Sequence, residues 1–186
     1  MTRHIEEYWV RFRAYRAPGR LTALCFDFLD SFVKAVTAVF IFLALFFRVI
    51  SVSGESMLPT LNDGDVLLLS AITSSVDRGD IVVITKPWSD DEPIIKRVIG
   101  IEGDEIDIDF AKGKVYLNGE ELEEDYINTP TNRMFDVQFP ITVGENEVFV
   151  MGDNRNFSLD SRYGEIGLID ENYILGKQIY KIYSKS

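Results

Sequence analysis

Ile94-Ile-Lys-Arg-Val-Ile-Gly-Ile101, a Gly103-Asp104 turn, Glu105-Ile-Asp-Ile108, and Lys114-Val-Tyr-Leu117 running into Asn118-Gly119 form the passage that decides the fold. Short runs rich in β-branched residues, broken by Gly-Asp and Asn-Gly, read as strands joined by tight turns. The same grammar extends on both sides. Gly64-Asp65 precedes Val66–Leu69, Gly79-Asp80 precedes Ile81–Thr85, and Glu147–Met151 and Gln178–Tyr183 follow. No long helical pattern occurs after residue 52. The expectation is a mainly β fold, a barrel or sandwich, over residues 52–186. Residues 120–145 are acidic and irregular and read as loops or a small excursion.

Upstream the composition changes. Ala35–Phe47 holds no charge in 13 positions. As a helix, Phe32–Ile50 would be about 28 Å long, close to a bilayer's hydrocarbon core of roughly 30 Å. Lys34 and Arg48 stand near its ends, where long side chains snorkel. The apolar residues are not confined to one face, so a membrane span over 32–51 is preferred to a buried core helix. A cleaved leader ending at Ser51-Val-Ser53 is a further reading. It is disfavoured by the roughly 30 polar residues ahead of the helix, long for a leader's charged region. Residues 1–52 carry seven basic and four acidic residues, a net +3, while residues 53–186 carry a net −14, which together give the chain's −11. Positive charge stays on the cytoplasmic side. Residues 1–31 are therefore expected inside a cell membrane crossed once, with the acidic domain outside. Trp9, Phe12 and Tyr15, interleaved with Arg11, Arg13 and Arg16, fit an amphipathic segment on the membrane surface and a disordered basic tail equally well.

The counts exclude several chemistries. A net charge of −11 argues against nucleic acid as a partner. One cysteine, Cys25, excludes an internal disulfide and multi-cysteine zinc motifs. One histidine, His4, stands in the N-terminal tail, so a Ser-His-Asp triad in the body of the chain is excluded. Any nucleophilic hydroxyl there needs another base, and a neutral lysine can serve. From an ordinary value near 10.4, being half neutral at pH 8 costs roughly 3 kcal/mol, which desolvation can supply. Strand alternation puts Lys96 on the side of Ile94 and Val98, an apolar setting, with Arg97 opposite. Singly, Ser56 reads as a turn serine, Lys96 as a snorkelling lysine, and Ser158 and Asp160 as turn formers.

Taken in order, the segments resemble the bacterial type I signal peptidases, in their short Gram-positive-like form. The motifs are Ser56-Met57-x-Pro59-Thr60-Leu61, Gly64-Asp65, Arg78-Gly79-Asp80, Lys96-Arg97-Val98-Ile99-Gly100 with Gly103-Asp104, and Gly152-Asp153-Asn154-Arg155 with Ser158-x-Asp160-Ser161-Arg162. The resemblance implies a membrane-anchored serine endopeptidase with a β-barrel catalytic domain. Its substrates would be signal peptides of secreted preproteins, cut after a small-x-small motif, with the lipid bilayer and the protein-export machinery as partners and no metal or cofactor. It implies Ser56 as nucleophile, Lys96 as general base, Ser158 as hydrogen-bond partner of the lysine, and Asp160 with Arg162 as supports of the last motif. The Ser56 main-chain N–H would line the oxyanion hole, with Gly54 nearby. Some members carry serine at the position of Gly54, where a hydroxyl would add a donor; the alternative is that backbone geometry requires glycine. Val52, Met57, Leu61, Ile94 and Ile95 would form the substrate pockets. Gly164-Glu-Ile-Gly167 departs from the family's run, and a large accessory β-domain is expected to be absent or minimal. A protease for one dedicated substrate would carry the same motifs. A self-cleaving repressor protease lacks the anchor, and an inactive adaptor would lack Ser56 or Lys96.

Overall fold

A computed structural model describes residues 19–71, 76–85 and 93–184. The aromatic and arginine residues of the first 18 positions lie outside the described residues. The chain divides into two compact units, residues 1–44 and 45–186.

Helix α1 runs Arg20–Phe46 without a buried residue, and by length and composition it can cross a membrane. It differs from the expected span at both ends. It begins at Arg20 rather than Phe32, carrying an Asp30–Lys34 pair one turn apart. It stops at Phe46, because Phe47–Ser51 forms strand β1, paired residue for residue with Ser70 down to Val66 of β2 (Val66–Ser70). Hydropathy cannot separate these states, since a β-branched apolar run satisfies either. What decides it is a partner strand that takes up the backbone groups. Arg48, expected at a helix end, donates instead to the Leu175 carbonyl at 2.8 Å.

The remaining strands are β3 (Ile81–Ile84), β4 (Ile94–Gly100), β5 (Glu105–Asp109), β6 (Lys114–Leu117), β7 (Glu120–Glu121), β8 (Ile141–Thr142), β9 (Glu147–Met151), β10 (Ile169–Asp170) and β11 (Ile174–Tyr183). Seven of them form one antiparallel sheet in the order β1-β2-β11-β3-β4-β9-β10, and β7-β6-β5-β8 form a second. The larger sheet is an open, curled half-barrel: among the described residues no bond returns from β10 to β1. The excursion over 120–145 is small, contributing only β7 and β8.

β3 shows why its sequence is an unbroken apolar run. All four residues are buried: Val82 and Ile84 point into one cluster with Val98, Val150 and Ile174, while Ile81 and Val83 point into another with Met57, Leu61, Leu67 and Ile95. A strand covered on both faces has no reason to alternate. β9 splits likewise, with Val148 and Val150 in the first cluster and Phe149 and Met151 in a third, against Ile106 and Val115 of the small sheet.

Asp104 holds the junction between the sheets. It accepts Arg78 Nε and Nη2 at 2.7 and 2.6 Å, Ile101 N–H at 3.0 Å and Asn118 Nδ2 at 2.8 Å. Burial pushes its carboxyl up, but the Arg78 guanidinium, the Ile101 N–H and Asn118 outweigh it and hold the group below the ordinary aspartate value. Such a group contributes stability that is fully present above the unfolded value and lost as pH falls through the lowered folded one. Asp104→Asn should therefore cost about 2 kcal/mol at pH 7. In urea unfolding the deficit should shrink below about pH 4, where the wild type takes up the proton too. A deficit independent of pH would contradict the assignment.

Candidate active site

The motif that carries Ser56 is a loop fastened at both ends. Val52 continues the edge of β1: its N–H donates to Asp65 O at 2.8 Å and its carbonyl accepts from Gly64 N at 2.9 Å. Residues 57–61 make one turn, closed by Leu61 N to Met57 O at 2.9 Å, and both side chains are buried in the cluster beneath β3. That anchorage leaves Ser56 half-buried at the top of the turn. Gly54 has φ +87°, the left-handed region, with open space where a Cβ would stand, and its N–H donates to Asp63 Oδ1 at 3.0 Å. The glycine thus answers a backbone requirement rather than crowding.

Lys96 comes from the centre of β4, between β3 and β9, and is 4% exposed. Its Nζ lies 2.8 Å from Ser56 Oγ and donates to Ile95 O at 2.9 Å. Residues 40 positions apart are thus in hydrogen-bond contact, beside a cleft of about 900 Å³. Val52, Met57, Ile94 and Ile95 line that cleft. Leu61 does not: at 0% exposure it lies in the cluster that supports the turn, because the 57–61 turn directs it inward.

The last motif wraps the other side. Asp160 accepts Arg162 Nε on Oδ1 and Nη2 on Oδ2, both at 2.8 Å, and both residues are fully buried. Asp160 also takes Gly152 N–H at 3.0 Å, and Arg162 Nη2 donates to Arg155 O at 2.7 Å. Ser158 is buried nearby, but the expected bond to Lys96 is not made; its Oγ has no partner, while the ammonium is turned to Ser56 and Ile95.

Four further residues surround the site, and the sequence assigned a role to none of them. Asp153 accepts Arg97 Nε and Nη2 at 2.8 and 2.7 Å and the Thr60 hydroxyl. Arg155 is paired with Glu124 and takes Thr131 Oγ1 as acceptor at 2.8 Å. Tyr126 lies under the Arg97 guanidinium, 4.0 Å from carbon to ring centre. Its hydroxyl is pushed well above the ordinary value, by burial first and then by Glu124. Asp153 and Arg155 stood in a recognised motif; Glu124 and Tyr126 carried no signal, since an acidic loop residue and a loop tyrosine are ordinary surface choices.

Gly152 marks the tightest contact. A Cβ there would stand 2.5 Å from Ser56 O, and nearer still to Ser158 Oγ. Gly152→Ala must push the Ser56 loop and the last motif apart. A loss of turnover of at least 100-fold is expected in protein that still melts cooperatively, checked by steady-state kinetics alongside calorimetry.

A family model described as signal peptidase, peptidase S26, matches residues 25–183. Signal peptidase I S of Bacillus subtilis is 32% identical over 168 residues, covering 84% of this chain and 88% of that one. Signal peptidase IB of Staphylococcus aureus is 32% identical over 151 residues, covering 72% and 76%. A crystal structure of a signal peptidase I from Enterococcus faecalis aligns with a TM-score of 0.46 at 28% identity, covering 55% of this chain and 96% of that one. With the match running through every strand and through both Ser56 and Lys96, the chain belongs to the signal peptidases, the serine endopeptidases of peptidase family S26.

Proposed function

We propose that this chain removes N-terminal signal peptides from exported preproteins, cutting after a small-x-small motif with Ser56 as nucleophile and Lys96 as general base. The observation that carries the reading is the 2.8 Å contact between Ser56 Oγ and the buried Lys96 Nζ, in a body that offers no histidine. Neutral Lys96 takes the hydroxyl proton as Oγ attacks the scissile carbonyl carbon. The carbonyl oxygen becomes an oxyanion facing the Ser56 N–H. Collapse breaks the C–N bond, and the Lys96 ammonium returns its proton to the leaving amine. Lys96, neutral again, deprotonates a water that attacks the ester carbon; the Oγ–C bond breaks, Lys96 passes the proton to Ser56 Oγ, and the signal peptide leaves with a new carboxylate. Ser158 and the Asp160–Arg162 pair support the loop that faces the dyad, and Val52, Met57, Ile94 and Ile95 offer shallow apolar walls for small side chains. The substrate would lie extended along a strand edge.

The anchor reading rests on α1 and on the charge asymmetry: a single pass, with the N-terminal segment cytoplasmic, the catalytic unit outside, and the export machinery supplying substrate.

Two experiments test this. Ser56→Ala and Lys96→Ala should each abolish cleavage of a labelled preprotein, with the wild-type cut mapped by mass spectrometry. The wild-type rate should rise with pH as Lys96 gives up its proton. More than a tenth of wild-type turnover in Lys96→Ala, or a flat profile from pH 6 to 10, would remove the proposed base. For topology, Glu120→Cys in a Cys25→Ala background should react with an impermeant thiol reagent in intact cells, and Tyr15→Cys should not. The reverse pattern would overturn the orientation.

A further inference from the structure

Asn154 holds the main-chain carbonyls on both sides of the Ser56 α-carbon. Its N–H donates to Ser56 O at 3.0 Å, and its Nδ2 donates to Glu55 O at 3.1 Å. The second bond is the informative one, because Glu55 O belongs to the same peptide unit as Ser56 N–H. The cis peptides among the described residues are Leu58–Pro59 and Phe139–Pro140, so the Glu55–Ser56 unit is trans. In a trans peptide, C=O and N–H point in opposite directions across one plane. With the carbonyl held by Asn154 Nδ2 from the last motif and by Leu58 N–H at 3.2 Å from its own turn, the Ser56 N–H is aimed the other way. Ser56 and Gly54 line the cleft, whereas Asn154 is not among its lining residues. A hydrogen bond to the carbonyl also polarises the amide and strengthens its N–H as a donor.

We infer that Asn154 is a positioning residue that sets the plane of the Glu55–Ser56 peptide and so aims the Ser56 N–H at the oxyanion. The inference rests on the reading of Ser56 as nucleophile and of its N–H as oxyanion donor. Asn154 acts through that peptide, and it is well placed to do so. Its neighbours Asp153 and Arg155 are fully buried and held by Arg97, Thr60, Glu124 and Thr131. The donor therefore stands on a fixed frame, which is what stabilising a short-lived charge requires.

The test uses the full chain in detergent, comparing wild type, Asn154→Ala, Asn154→Asp and Ser56→Ala. The readouts are kcat and KM on a fluorogenic signal-peptide substrate across pH, affinity for a peptide boronic acid, and affinity for the matching product peptide. The boronate forms a tetrahedral adduct on Ser56 Oγ with an oxygen where the oxyanion sits; the product peptide reports the ground state. Asn154→Ala keeps the main-chain bond to Ser56 O and should lower kcat at least 10-fold with KM within twofold. Boronate affinity should fall by the same factor, with product affinity and the midpoint of the pH profile unchanged. Asn154→Asp, equal in size, places a carboxylate against the Glu55 carbonyl and should lose more; it carries the test if the alanine variant melts early. The inference is overturned if kcat stays within twofold of wild type, if both ligands weaken equally, or if the pH midpoint moves. Cleavage surviving in Ser56→Ala would instead sink the catalytic reading itself, a result distinct from active Asn154 variants beside an inert Ser56→Ala.

Discussion

One fully buried carboxylate joins the parts of the active site. Asp153 accepts two bonds from Arg97 on the strand that carries Lys96 and one from Thr60 on the turn that carries Ser56, and it belongs to the loop that ends at Arg162. Three segments far apart in sequence thus meet on two oxygen atoms. Such an ion pair adds little to net stability, since desolvation consumes most of the attraction. Its value lies in geometry: a bidentate guanidinium–carboxylate contact fixes angle as well as distance. Removing one partner would leave the other charged and buried, which makes the arrangement intolerant of partial loss.

The same logic repeats in the shell around it. Asp160 and Arg162 are both at 0% exposure, and Arg155 is closed off by Glu124 and Thr131. The region facing Ser56 and Lys96 is therefore built largely from satisfied polar contacts rather than from apolar packing. The apolar clusters lie beneath it, under the 57–61 turn and on both faces of β3. Packing sets where the strands run, and the charged network sets where the loops stop. The one polar atom that escapes this order in the site is Ser158 Oγ, pressed against Gly152 and without a partner.

Much of this was legible beforehand, for identifiable reasons. Gly-Asp and Asn-Gly turns are local signals, and they located the strands from β2 to β6. The contact between Ser56 and Lys96 was legible through the motifs that carry the resemblance, with the lack of a histidine in the body of the chain as support. What failed was non-local. Phe47–Ser51 reads as helix until β2 is known to lie beside it. Leu61 reads as a pocket wall until the turn shows it facing inward. Glu124 and Tyr126 gain meaning only from Arg155 and Arg97, about 30 positions away along the chain. Periodicity describes a residue's own element, and these assignments depend on someone else's.

The sheet order has a consequence in time. β11, residues 174–183, lies between β2 and β3, so the last strand of the chain joins the half bearing Ser56 to the half bearing Lys96. Until that strand is in place, the larger sheet is not continuous between the two halves. Closure of such long-range pairings comes late in folding, because loop entropy opposes it. A partly synthesised chain therefore carries Ser56 and Lys96 without the continuous sheet that unites their strands.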